Sequence, residues 1–505
     1  MYENGFPSAV LHYMFELTEI ILGPFFYSFN NVLSPFILTT SERNKPWLIL
    51  PCLLVQGPIN FAAFLVLLAP AFVSFCLRII LYRFKKPYIL SYPHNIYPEQ
   101  HNSHRNGNTK YNTRTGLGFQ SGFRDPEKLF STFSVATLNV CLLPEALSRF
   151  NNLDKTSKRA KEIGERLVID QMHYGSLSPR DSAAKVNHVL HRKNAEKFEP
   201  LEAGVKVHFP ELDFLCIQEC FHRGYSRKLL KELHKVYPWI IYDVGVFSWR
   251  SNYYGFNSGL MFASRHPILN VDFKYFPVSC GTCAMACKGL LMTKVLLNEK
   301  TPGSKREVGY IYVTHLQAFD GEKVVTLKQL QCILEWTISF RRKTQGSDKV
   351  LCDIICGDFN FDNMSPGDKK CCQHNLFTVY ADVCRETLGK DRDWTVGTEM
   401  RPLYVKNKEV MTPEGLQRVL KDPCLRENYV INADIQLCSL SIMYSHPKRD
   451  EHGNIVQTPA GGKRRIDLIL CRNDCPLRIE SYNFVSRLAG LTDHIPVVMT
   501  FTCNR

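Results

Sequence analysis

Residues 352–363 read Cys-Asp-Ile-Ile-Cys-Gly-Asp-Phe-Asn-Phe-Asp-Asn, and the rest of the chain is organised around them. Residues 350–356 are short and apolar but for Asp353, the pattern of a buried strand. Gly357 is expected to let the backbone turn sharply where that strand leaves its sheet. The turn delivers Asp358 and Asn360, whose side chains share one wall of a cleft if the backbone between them is extended. A carboxylate and a carboxamide there suit a phosphate oxygen, a water or a hard cation. Taken alone, Gly-Asp-Phe-Asn also reads as a polar turn. What raises it is the recurrence of chemically capable residues at other strand ends.

Those strands are expected at 132–139, 213–218, 240–247, 259–264, 290–296, 308–315, 466–471, 482–486 and 495–501. Leu327, Leu330, Leu334 and Ile338 give the apolar face of a helix between two of them. Many strands with few helices imply two packed mixed sheets flanked by helices, an α/β sandwich. Asn139 closes the first strand and Gln218 with Glu219 the second; Asn257 opens another, and His315 ends one in Val-Thr-His-Leu. Asp467 lies in Arg-Arg-Ile-Asp-Leu, and Asp493 with His494 in Leu-Thr-Asp-His-Ile-Pro-Val.

Composition sets the class. The 505 residues allow one large core plus an appendage, and 45% hydrophobic with 22% charged residues is the composition of a folded protein. A net charge of +14 suits nucleic acid or an anionic membrane surface equally. Nineteen cysteines, scattered through expected strands, point to a reducing compartment and buried thiols. Cys280, Cys283 and Cys287 have close spacing, but no fourth ligand stands nearby as a zinc site requires. Cys52 and Cys76, in the hydrophobic segment 47–77, are candidates for acylation that the sequence does not decide.

The N-terminal 90 residues read as a hydrophobic anchor. Residues 5–40 are apolar but interrupted by Glu16, Glu19, Pro24 and Pro35, which suits an interfacial or shallowly inserted helix better than a secretory signal. Residues 47–77 hold no charge over 31 positions. A straight helix of that length would measure about 46 Å against a hydrocarbon core of roughly 30 Å, so with Pro51, Pro58 and Pro70 it either crosses from Ile59 onward or enters and returns as a hairpin. Arg78, Arg83, Lys85 and Lys86 follow and place the next chain on the cytosolic side. Residues 91–128 lack apolar periodicity and read as a polar linker, with a folded domain over 129–505 that carries an insert near 170–206.

In this order the strand-end residues resemble the signature of the exonuclease-endonuclease-phosphatase fold, a four-layer DNase-I-like sandwich shared by nucleases, inositol polyphosphate 5-phosphatases and neutral sphingomyelinases. The resemblance covers residues 130–505. Ala-Thr-Leu-Asn-Val-Cys-Leu-Leu-Pro-Glu at 136–145, the 357–363 run, Trp-Thr-Val-Gly-Thr at 394–398 and Leu-Ala-Gly-Leu-Thr-Asp-His at 488–494 are similar to the membrane-bound neutral sphingomyelinases. The short insert after residue 170 is more similar to their mitochondria-associated branch, and puts any regulation tied to a long insert in doubt.

The resemblance implies a magnesium-dependent phosphodiesterase, with manganese as a substitute ion, acting on sphingomyelin in its bilayer. Anionic phospholipids such as phosphatidylserine are the expected activators, and nucleic acid is not an expected partner. Glu219 is the implied principal metal ligand, with Asn139 beside it and Asp493 acting through water. His494 is the implied base, held by Asp467 as Asp holds His in hydrolase triads. Asp358 and Asn360 would orient the water or the phosphate, His315 would donate to a phosphoryl oxygen, and Asn257 and Lys288 would contact substrate. Asp362 and Lys369 read either as a charged pair in a loop over the site or as solvated charge. A nuclease, an inositol phosphatase and an inactive membrane scaffold are the competing readings. The hydrophobic segments and the lack of a basic run interleaved with aromatics oppose the first, and Arg-Arg-Ile-Asp in place of Cys-Asp-Arg opposes the second.

Overall fold

The computed structural model describes residues 5–92 apart from 46 and 48, then 130–175, 201–246, 256–299, and 305–504 apart from 476. The expected linker and most of the expected insert lie outside the described residues.

Residues whose neighbours on both faces are apolar must be covered on both faces, and the sheets obey this. Eight strands form one sheet in the spatial order Ile89–Ser91, Trp239–Tyr242, Met261–Ser264, Phe214–Gln218, Phe130–Asn139, Val497–Asn504, Leu477–Val485 and Glu202–Lys206. Six form the other: Tyr380–Asp382, Asp467–Arg472, Lys349–Asp358, Glu307–His315, Gly289–Asn298 and Ile268–Tyr275. Both are mixed. Phe130–Asn139 runs parallel to Phe214–Gln218, and Lys349–Asp358 runs parallel to Glu307–His315 but antiparallel to Asp467–Arg472.

Alternation along each strand sorts its side chains into layers. Val135, Phe214, Ile311, Ile354 and Ile469 point into a core between the sheets. Their neighbours Ala136 and Leu215 pack instead under the helices Thr156–Gly175 and Arg223–Leu233, while Tyr312, Ile355 and Leu468 pack under the helix Val324–Thr344. The result is helices, sheet, sheet, helices.

Several local expectations change. Gly357 does not turn the chain: it stays in the strand, paired with Thr314 and Leu468, and a Cβ there would sit 2.1 Å from the Thr314 carbonyl oxygen. The glycine serves a close backbone approach, and the turn falls three residues later, where Asn360 is left-handed at φ 55°. The face that Val324–Thr344 buries is Leu330, Ile333, Thr337 and Phe340, with Ile338 exposed. Glu202–Lys206, inside the expected insert, is an edge strand paired with Leu477–Val485. Ile89–Ser91 already belongs to the sheet, ahead of the polar stretch.

The two hydrophobic segments pair with each other. Ala9–Leu33 and Gly57–Tyr82 are helices that keep Pro24 and Pro70 inside them, and a π-helical turn at Cys52–Gln56 extends the second. They run antiparallel: Phe15 meets Tyr82, Glu19 meets Arg78 at 2.5 Å, Phe25 stacks on Phe64, and the Asn31 amide donates to Asn60. The second segment therefore does not fold back on itself. The hairpin docks on the body at both ends of its first helix. Glu16 pairs with Arg223 and Arg227, and the Asn30 carboxamide oxygen accepts the Ala146 N–H. Beyond that helix, Glu42 holds Arg149. Phe61, Leu65, Val66, Phe72 and Val73 remain exposed on the second helix, an apolar surface suited to membrane association.

Candidate active site

Neighbouring parallel strands end at one edge, and that topology gathers the polar residues. Asn139 and Gln218 are paired positions, as are Asp358 with His315 and Asp358 with Asp467. The Asn139 amide nitrogen bridges two carboxylates, donating to Glu219 Oε1 at 3.0 Å and to Asp358 Oδ2 at 3.0 Å. Its oxygen accepts the Cys141 N–H, so the carboxamide presents hydrogens to the cluster. Glu219 follows its strand in a left-handed conformation, φ 60°, a cost of roughly 1 kcal/mol or more that its surroundings enforce. The N–H of Leu142 holds its carbonyl, and the Cys220 N–H that follows is held by Gly259.

His494 faces this pair. Its Nδ1 lies 2.9 Å from Asp467 Oδ2, and its Nε2 lies 4.0 Å from Asp358 Oδ2. Asp467 is itself held through the main chain, since Thr398 Oγ1 accepts the N–H groups of Ile466 and Asp467. Thr492 Oγ1 donates to the Asn139 carbonyl, and Asp493 Oδ2 accepts from the Asn151 amide at 2.8 Å. On the other side, His315 Nε2 stands 3.5 Å from Asp358 Oδ2 and 3.9 Å from Glu219 Oε1. Lys288 Nζ meets that same nitrogen at 2.9 Å and donates to the Leu316 carbonyl. With the lysine donating to Nε2, a neutral ring carries its proton on Nδ1. The donor available at this corner is then the ammonium.

Burial, only partly offset by His494 and Lys288, sets the electrostatics of the two carboxylates. Burial, with Asp493 adding to it, lifts the Glu219 carboxyl to about 7. Burial likewise lifts Asp358 to about 6, against the pull of His494. Burial opposes charge on His494, but Asp467, Asp358 and Asp493 outweigh it and hold the imidazole well above its usual value. Burial, Lys288 and His494 together keep His315 well below its own. Two sets of ligand atoms lie within 4.8 Å of one another: Glu219, His315 and Asp358, and Asp358, Asp467 and His494. Two carboxylates lifted this far, Asp358 buried and Glu219 half-buried, with hard oxygen donors converging, are a donor set that fits a divalent cation.

Of the residues singled out in the sequence, Asn139, Glu219, Lys288, His315, Asp358, Asp467, Asp493 and His494 come together. Asn360 is adjacent, its N–H donating to Asp358 Oδ1 but its carboxamide turned to the Leu316 carbonyl. Asn360 is itself left-handed, and its carboxamide shares the Leu316 carbonyl with Lys288. Asn257 binds Asp243 through its amide and accepts the Gly259 N–H, without a direct contact to the cluster. Asp362 is neither solvated nor paired with Lys369. It is buried on Arg464 at 2.9 Å and on Ser365, while Lys369 is exposed.

Thr398 and Arg464 lie in motifs the sequence singled out without a role for either, and Asn151 lies in none. Arg464 joins Asp362, Asp368 and Glu399, and nothing in its local sequence separates it from Arg465, which serves Asp382 and Asp391 instead. Cys283 and Cys287 take separate backbone N–H partners, Ala318 and Val246.

No protein-family model matches the sequence. Sphingomyelin phosphodiesterase 5 of Danio rerio is 32% identical over 559 residues, spanning 98% of this chain and 97% of that protein. Sphingomyelin phosphodiesterase 3 of Homo sapiens is 36% identical over 331 residues, which is 63% of this chain and 48% of the human protein. Among solved structures, sphingomyelinase C of Streptomyces griseocarneus covers 73% of this chain and 99% of its own, with 16% identity and a TM-score of 0.39. The end-to-end match, hydrophobic hairpin included, shows that this chain belongs to the sphingomyelin phosphodiesterase family.

Proposed function

We propose that this chain hydrolyses sphingomyelin to ceramide and phosphocholine at the cluster between Glu219 and His494. The observation that carries the reading is one imidazole, oriented by a buried carboxylate, opposite two further carboxylates in a chain that aligns over 98% of its length with a sphingomyelin phosphodiesterase.

In its neutral form, populated above its raised pKa, His494 Nε2 is the atom that takes a proton from the attacking water. Asp467 holds the proton on Nδ1 and stabilises the imidazolium that forms. The water oxygen bonds to phosphorus, the bond from phosphorus to the ceramide oxygen breaks, and that oxygen takes a proton from solvent, to which the His494 imidazolium returns the one it accepted. Lys288, seated against His315, supplies positive charge on the opposite wall. Asp358 fixes the spacing between His494 and Glu219 through Asn139, and Asn257 is proposed as a contact to the phosphate. Glu219 and Asp358 would hold magnesium, or manganese in its place, with Asn139 beside them and Asp493 reaching it through water. When bound, that cation stabilises charge on the phosphoryl oxygens and makes water more acidic.

The hairpin supports a lipid substrate, because an enzyme held at the bilayer needs no separate encounter with it. The basic residues after the second helix support a catalytic body facing the cytosol and stimulation by phosphatidylserine. Release of choline phosphate from sphingomyelin vesicles with and without magnesium, run beside DNA and phosphoinositides, tests the reading. Turnover of either alternative in preference to sphingomyelin overturns it.

A further inference from the structure

A cleft of about 650 Å³ opens between the edge strand Glu202–Lys206, the helices Pro413–Lys421 and Pro423–Tyr429, and residues 457–463. No residue of the Glu219–His494 cluster lines it. Four cationic side chains do: Lys206, Lys421, Arg426 and Lys463, against the carboxylates Asp393 and Glu427. Glu427 is already occupied by uncharged donors, namely the Thr458 N–H and hydroxyl and the Asn432 amide. Lys206 pairs with Glu202.

Arg426 is the unusual member. It is 7% exposed, Nη1 donates to the Leu420 carbonyl, and Nε is buried with no acceptor. Asp422 and Glu427 only attract it from beyond bonding distance, and burial holds its pKa below the usual guanidinium value. Arg426 has one hydrogen bond where the other buried arginines have several. Arg464 and Arg465 each sit within 3 Å of two carboxylates, and Arg401 is satisfied by Ser445 and Asn432. A buried guanidinium with an idle donor is costly to keep unless an anion visits it. Trp394, packed on Tyr482, provides a flat apolar wall beside these charges.

We propose that this cleft binds a phosphate ester, with Arg426, Lys421 and Lys463 on the phosphate and the ester carbon skeleton along Trp394. The phosphate is either the headgroup of an anionic lipid or that of a soluble ester. It is a site separate from the catalytic cluster and does not depend on the activity proposed above.

The full chain in detergent micelles is titrated calorimetrically with inorganic phosphate and with glycerol phosphate, beside a Lys421→Glu, Lys463→Glu double variant. These two lysines are not buried, so the variant is expected to keep the wild-type thermal midpoint, and Arg426→Gln serves as a second probe of the buried donor. Saturable binding that weakens about tenfold or more in the double variant is the expected result. Displacement of the phosphate by phosphatidylserine vesicles, but not by neutral ones, assigns the lipid headgroup. Lack of displacement assigns a soluble ester. Absence of saturable binding up to about 10 mM, or equal affinity in the double variant, overturns the proposal.

Discussion

Asp467→Asn separates the charge of the orienting carboxylate from its shape. Asp467 Oδ2 lies 2.9 Å from His494 Nδ1, Oδ1 has no partner, and the backbone N–H stays on Thr398, so the substitution leaves the local frame in place. If the new amide turns its oxygen to Nδ1, the tautomer survives, a charge-assisted bond becomes a neutral one and the NH2 group is buried without an acceptor. If it turns its nitrogen there, the ring must carry its proton on Nε2 and can no longer accept one from water. The first case costs about 1.5–3 kcal/mol of imidazolium stabilisation for the lost charge, and the orphaned amide costs about 1–2 kcal/mol of fold stability that does not enter the barrier. At roughly 1.4 kcal/mol per factor of ten, kcat falls by about tenfold to a hundredfold. The pH dependence gives a second reading. Burial disfavours the imidazolium and Asp467 is the foremost group raising its pKa, so removing that charge moves the ascending limb of the rate profile to lower pH while the plateau drops. Choline phosphate release from sphingomyelin vesicles across the pH range measures both. A plateau within about threefold of wild type, or a limb displaced to higher pH, would refute the base assignment.

Cation dependence should appear in stability as well as in rate. Glu219 and Asp358 are raised by burial to about 7 and about 6, so the chelated folded chain holds these protons more tightly than the unfolded one. Their contribution is present below the ordinary carboxylate pKa near 4 and is lost as pH rises through about 6 to 7, up to roughly 3 kcal/mol for each considered alone. Thermal midpoints of chelated protein should therefore fall over that window, and magnesium should raise them more at pH 7.5 than at pH 5; a flat response to both pH and magnesium counts against the site. Thr398→Val leaves two buried N–H groups without their acceptor and should destabilise by about 2–4 kcal/mol in denaturant melts, with Thr398→Ser restoring most of it. Glu16→Lys faces Arg223 and Arg227 with a like charge and should speed hydrogen exchange in Arg223–Leu233, each half-exposed ion pair being worth about 1 kcal/mol or less. Unchanged exchange there would mean the hairpin docks through other contacts.

Much of the sandwich was legible because strand period and burial are local properties. A run such as 350–356, short and apolar at odd and even positions but for Asp353, reads as a strand covered on both faces, and Cys352, Ile354 and Cys356 do face one core while Ile355 faces another. The candidate site residues stand at strand ends that can be read, but singly each reads as a turn or cap, and only their joint order, through the resemblance, assigned them roles. Short or polar strands escaped. Glu202–Lys206 is exposed at its ends and half-buried in the middle, so it lacks the apolar signal, and it becomes a strand only because Leu477–Val485 offers it an edge.

The amino-acid order alone determined the alternation, the residue types available to the reaction and the length of the hydrophobic segments, since each depends on neighbours within a few positions. Tertiary structure decided everything that required distant segments to meet. It put Lys288 on His315, sent Asp362 to Arg464, made Gly357 a close-approach position against Thr314, and laid the first hydrophobic helix along the catalytic body. These contacts join positions from 27 to more than 200 residues apart. They exist because two sheets packed face to face bring strand ends and loops to a common edge, a register that no local pattern encodes.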